Sequence, residues 1–112
     1  MEKISKKLIK KVWNKYTKCT LYIKAIEKSS MKNVDDELFS NSLFYIEYVK
    51  GILRCMKQAE YNVLVAEYIN FTGNDHTYTR SGWYAKLRKA NNSFFKYFDK
   101  KFLKDKRKND KQ

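Results

Sequence analysis

The sequence predicts an all-α fold, a single-domain bundle of about four helices whose last member is basic. Three observations lead there. The chain has no proline and only three glycines, Gly51, Gly73 and Gly82, whereas a sandwich or barrel needs a turn every ~10 residues and usually places those residue types in them. Apolar residues recur at steps of three and four, the period of one helix face. A chain of 112 residues is long enough to bury one core but not two.

The first helix is predicted over 3–28. Ile9, Val12, Tyr16, Cys19, Ile23 and Ile26 alternate in steps of three and four, and Leu8, Trp13 and Leu21 broaden the stripe. Lys3, Lys6, Lys7, Lys10, Lys11, Lys15 and Lys18 fill the other faces. The alternation falls short of the ~3–4 heptads of a coiled coil, so packing within the domain is expected ahead of a dimer seam. Monomer and homodimer both stay open.

Residues 29–33 read as a polar linker, after which Asn33 or Asp35 can cap a second helix. Asp35, Asp36 and Glu37 suit the positive end of its dipole, which explains them better than a Mg²⁺ site does. From Leu38 to Met56 the chain is apolar almost all round, the pattern of a helix at the centre of a bundle. Gly51 inside it implies a close helix–helix approach or a weak point.

A third helix is expected over 58–69, with Tyr61, Leu64, Val65, Tyr68 and Ile69 inward. A break near Lys57 is favoured over one helix from 35 to 69, which would far exceed the usual length. The run NFTGNDHTYTRSG is rich in turn formers, with Gly73-Asn74-Asp75 as its nucleus, and it leaves room for one short helical turn. Ser81 is then the expected N-cap of the final helix, which runs to about residue 102. Trp83, Leu87, Ala90, Phe94 and Phe98 face inward, and Tyr84, Phe95 and Phe102 widen that face. The domain is thus predicted over 1–103, with 104–112 a charged flexible tail.

The net charge of +13 is unevenly placed. Residues 1–28 carry nine lysines against Glu2 and Glu27, a balance of +7; residues 29–79 stand at −3 and residues 80–112 at +9. Two basic ends around a mildly acidic middle point to a polyanionic partner, nucleic acid ahead of anionic membrane. No apolar run approaches the ~20 residues of a membrane span. The N-terminus lacks the apolar core and cleavage site of a secretory signal, so a cytoplasmic location is expected. Cys19 and Cys55, each inside an apolar run, are expected to be reduced and buried.

No local pattern suggests catalysis. His76 is the only histidine, no second ligand type stands near it, and the glycine-rich phosphate-binding motifs are missing. The expectation is a protein without enzymatic activity, cofactor or metal. The basic residues of the final segment carry the functional reading instead: Arg80, Lys86, Arg88, Lys89, Lys96 and Lys100 line its outer side. A helix that packs through its aromatics and exposes cations is suited to a phosphate backbone, and an ordinary solvated lysine face has the same geometry.

The order of elements adds a resemblance. An apolar helix (AEYNVLVAEYIN), a short loop and a helix of the form S-x-W-Y-x-K-L-x-K-A-x-x-x-F together resemble region 4 of sigma-70-type factors and the related small phage-type activators over residues 56–98. That resemblance implies a helix-turn-helix-like last helix and a DNA-binding regulator of transcription, with a protein partner such as RNA polymerase. It implies Ser81 as cap of a recognition helix, and Trp83, Tyr84, Lys86, Arg88 and Lys89 where backbone and base contacts lie. Tyr68 and Ser81 stand 13 residues apart, closer than in those families, so a first helix within 70–80 would be reduced to a turn. DNA is favoured over RNA. A protein–protein interaction module and an RNA- or ribosome-associated protein are the alternatives.

Overall fold

A computed structural model of the chain describes residues 4–29 and 36–103. Lys3, the caps expected at Asn33 and Asp35, and the tail 104–112 lie outside the described residues. The described residues are all-α and form four helices: α1 Lys6–Lys28, α2 Asp36–Cys55, α3 Gln58–Leu64 and α4 Arg80–Phe94. A π turn, Val65–Ile69, extends α3, and a 3₁₀ turn, Lys100–Leu103, follows α4.

α1 begins at Ser5, whose hydroxyl accepts from the Leu8 N–H at 3.1 Å, satisfying one of the donors a helix start leaves free. It buries Val12, Trp13, Tyr16, Cys19 and Ile23, the centre of the stripe expected from spacing, but Leu21, expected to broaden it, is exposed. α2 packs against it through Tyr45, Ile46, Val49, Ile52 and Leu53, all buried. The Tyr45 hydroxyl donates to the Val12 carbonyl at 2.9 Å.

Three expectations for α2 are corrected. It is not central: Leu43 and Phe44 are exposed, because α1 covers one face and, among the described residues, the turn after α4 covers the rest only in part, with Phe102 against Phe44. Gly51 does not mark a close approach, since a Cβ placed there would meet nothing within 4 Å. Cys55 is exposed, whereas Cys19 is buried as expected. The inward side of α2 ends at Ile52 and Leu53, and two residues on the helix has turned ~200°. Burial pushes the Cys19 thiol up, against smaller opposite effects from Ser42 and Lys15.

The break falls where expected. α2 stops at Cys55 and Lys57 adopts an extended conformation as the N-cap of α3. The end of this third segment departs from a plain helix. The Asn70 N–H reaches back five residues to the Val65 carbonyl at 2.8 Å, and the Thr72 and Gly73 N–H groups both reach Ala66. Phe71 then takes a left-handed conformation, φ 57°, at the place after a helix that glycine usually fills.

Residues 70–79 hold no helical turn, so the element directly before α4 is α3 with its π turn. α4 is also shorter than its amphipathic spacing suggests. Past Phe94 the chain turns, and the Tyr48 hydroxyl accepts from the Asp99 N–H at 2.8 Å and donates to the Tyr97 carbonyl at 3.2 Å. A continued helix would have used both groups internally. The turn lets Phe98 enter the core and brings Phe102 to 4.4 Å, ring to ring, from Tyr48, while the Lys15 ammonium donates to the Phe102 carbonyl.

Candidate nucleic-acid interface

The register of α4 decides which residues face out, and Thr79 sets it. The Thr79 hydroxyl accepts from the Gly82 N–H at 3.0 Å, and its carbonyl accepts from Trp83 N–H at 2.8 Å. Gly82 serves this cap, since a Cβ there would lie 2.9 Å from the Thr79 hydroxyl oxygen. Ser81 is therefore not the cap, correcting the expectation. The chain TRSG offers two hydroxyls two residues apart, and only the first is followed at the right distance by a residue without a side chain. Ser81 sits exposed within the first turn.

The inner face is fixed by packing and by buried hydrogen bonds. Trp83, Leu87, Ala90, Asn91 and Phe94 are buried. Trp83 faces inward as its spacing predicted, against the contacting place the resemblance implied, and its indole N–H donates to Glu67 at 3.0 Å. Asn91 was missed. Its amide donates to the Tyr68 hydroxyl and the Leu87 carbonyl, both at 3.1 Å, and its oxygen accepts from the Trp13 indole at 3.4 Å. Trp13 stacks on Tyr68 with ring centroids 4.7 Å apart, so α1, the π turn and α4 meet at one amide. Its spacing was the available signal: Asn91 stands four residues after Leu87 and three before Phe94, on the apolar stripe. Burial raises the Tyr68 hydroxyl above its ordinary range, with the Asn91 hydrogen bond opposing.

With that face inward, Arg80, Tyr84, Lys86, Arg88 and Lys89 are all exposed. Arg80, Tyr84 and Arg88 follow one another at four-residue steps, a single row along the helix. Lys86 and Lys89 form a second row at a three-residue step. Lys96 and Lys100 are exposed too, but they lie past the end of α4, in the turn and the 3₁₀ segment, and do not continue either row. Residues 80–94 include no Asp or Glu. Among the described residues the ion pairs are Lys50–Glu47 and Lys101–Asp99, neither involving α4; the Glu67 carboxylate meets the helix at the Trp83 indole, not at its cations.

The loop leading into α4 is shaped by its own side chains. Asn74 donates to the Tyr78 carbonyl at 2.7 Å and accepts from its N–H at 3.3 Å. The Asp75 carboxylate accepts from the Thr77 N–H at 3.1 Å and from the Thr77 hydroxyl, bonds that hold its carboxyl below the usual range. This places the Tyr78 ring 6.1 Å from Trp83 and under the Lys86 ammonium, 4.7 Å from the ring centre. His76 is exposed with φ 74°. Among the described residues no three His, Cys, Asp or Glu side chains gather as a metal site would require.

On the other end of the chain, Lys6, Lys7, Lys10, Lys11 and Lys18 of α1 are exposed, while Lys15 lies 4.7 Å over the Tyr45 ring. No helix among the described residues is long and apolar enough to cross a membrane. Compared with known proteins, the chain matches no family model, no curated protein and no solved structure.

Proposed function

We propose that this chain binds nucleic acid through the outer surface of α4, as a small DNA-binding regulator of transcription without enzymatic activity of its own. One observation carries the reading: Arg80, Lys86, Arg88 and Lys89 are all exposed on a helix that has no acidic residue to neutralise them. Phosphate contacts supply most of the affinity of such a surface and position the protein on its ligand. In this reading Lys86 and Lys89 meet phosphates, the exposed Ser81 hydroxyl adds a neutral contact, and Arg88 has the planar fork for a bidentate guanine contact. Lys96, Lys100 and the α1 lysines add affinity without sequence preference. DNA is placed ahead of RNA on the helix-reading geometry the resemblance implies.

The protein-partner reading has its own support in Leu43 and Phe44, exposed on α2. The two readings separate in one experiment. Lys86→Glu combined with Lys89→Glu removes no core volume and should change stability by about 0.5 kcal/mol or less. It should lower DNA affinity substantially at ~150 mM salt and flatten the salt dependence, because each phosphate contact contributes roughly 0.9 to the logarithmic slope. If the variant binds as the parent does, α4 is a packing element and the partner-protein reading takes its place.

A further inference from the structure

Exposed aromatic rings stand among the cations of α4; a tyrosine hydroxyl can reach a duplex phosphate, but a phenyl ring such as that of Phe71 has no such group to offer. Tyr78 lies under Lys86 on one flank. Tyr84, half a turn or so away around the helix, sits one turn from both Arg80 and Arg88 and is 52% exposed. Phe71, in the loop before α4, is 69% exposed, the most open large apolar side chain among the described residues. Its backbone makes it more telling. Phe71 holds φ 57° at the helix-terminating position where glycine would sit without penalty. A side chain there is strained, and this one contributes little packing in return. Strain retained at an exposed position points to a role outside stability.

We infer that the end of the molecule formed by loop 70–79 and the start of α4 binds an unpaired nucleic-acid strand that crosses the helix from Tyr78 and Lys86 on one flank to Arg80, Tyr84 and Arg88 on the other, with Phe71, Tyr78 and Tyr84 stacking on bases and the cations beside them neutralising phosphates. Bases of a duplex hide their faces in the helical stack, whereas an unpaired strand offers each one to an aromatic ring, and cations interleaved with rings are the usual combination for such ligands. The Lys86–Tyr78 contact holds one ring and one charge together before any ligand arrives. Among the described residues no cation sits over the Tyr84 ring, which is carried by the helix. This inference rests on the nucleic-acid reading of α4 and departs from its duplex, guanine-reading form in the state of the strand it takes.

The test uses the full chain and three labelled probes of equal length, about 16 nucleotides: a thymine-rich DNA strand, a uracil-rich RNA strand and a mixed-sequence DNA duplex. Binding is measured by anisotropy at ~150 mM salt. Tighter binding to either single strand than to the duplex supports the inference, and the better of the two identifies the sugar. Phe71→Ala, Tyr78→Ala and Tyr84→Ala should each weaken single-strand binding by about fivefold or more while sparing the duplex, and Tyr84→Phe should keep it. Phe71→Gly should raise the melting temperature yet weaken the strand complex, a pairing that a purely structural role would not produce. Tighter duplex binding that is indifferent to the three aromatic variants overturns the inference; Lys86→Glu with Lys89→Glu still weakening that binding would leave the basic-face reading standing. Indifference of all three probes to that charge reversal would remove both.

Discussion

α2 carries apolar residues over most of its circumference and still leaves Leu43 and Phe44 open to solvent, whereas α4, lined outside with lysine and arginine, seats Ala90 and Phe94 at zero exposure. α2 seats Val49 just as deeply, so the contrast lies in the apolar surplus it leaves outside. What differs is how many elements converge on each helix. The inner face of α4 is closed by Trp13 of α1, by Tyr68 and Glu67 of the π turn, and by the aromatic turn that follows it. α2 has α1 along one side and, on its flank, the turn after α4, whose Phe98 ring meets Tyr45 and Tyr48 and whose Phe102 ring lies near Phe44 and Tyr48. In a four-helix arrangement of this size burial depends on neighbours, and an apolar surplus on a helix with few of them becomes surface.

The largest contrast should come from matched truncations. Phe94→Ala is expected to cost about 3–5 kcal/mol through lost burial and the cavity left behind. Phe44→Ala, on a ring that is 55% exposed, should cost under ~1 kcal/mol. Urea unfolding of the pair would break the comparison if the two losses were equal. Next in size is Asn91→Ala, which strips the Trp13 indole of its acceptor inside the core and should cost roughly 1–3 kcal/mol. A loss near zero in the same assay would mean that packing alone closes α4. The smallest effect has the opposite sign. Because the space beside Gly51 is open, Gly51→Ala should stabilise by about 1 kcal/mol, seen as a higher midpoint with an unchanged slope; a destabilised variant would show that α2 has a neighbour on that side after all.

These contrasts also mark what could be read from the chain itself. The three-four spacing of Val12, Tyr16, Cys19 and Ile23, and of Leu87, Ala90 and Phe94, is a local property, and every one of these residues is buried. The break near Lys57 followed from length. The cations of α4 were legible because a solvated face needs no partner to define it. Features that depend on a distant residue were not. Tyr48 ends α4 from 51 positions away, the exposure of Cys55 and Phe44 depends on what fails to cover α2, and Asn91 is buried because Trp13 and Tyr68 arrive to bond it. The cap at Thr79 was local yet ambiguous between two hydroxyls, and the display of Phe71 required a strained backbone that sequence spacing does not encode.

The Tyr48 hydroxyl has a consequence in time as well as in space. Most of the packing joins neighbours along the chain, α1 to α2 and α3 to α4, and such contacts form early because little chain must be closed. Asn91 meets Trp13 across 78 positions, and the segment 95–103 closes a longer loop still, to Lys15 across 87, besides meeting Tyr48 across 51. It is expected to dock last and to open first. Tyr48→Phe should then leave the folding rate nearly as it is and shift the whole loss of stability into faster unfolding, with the Asp99 amide among the first to exchange with solvent.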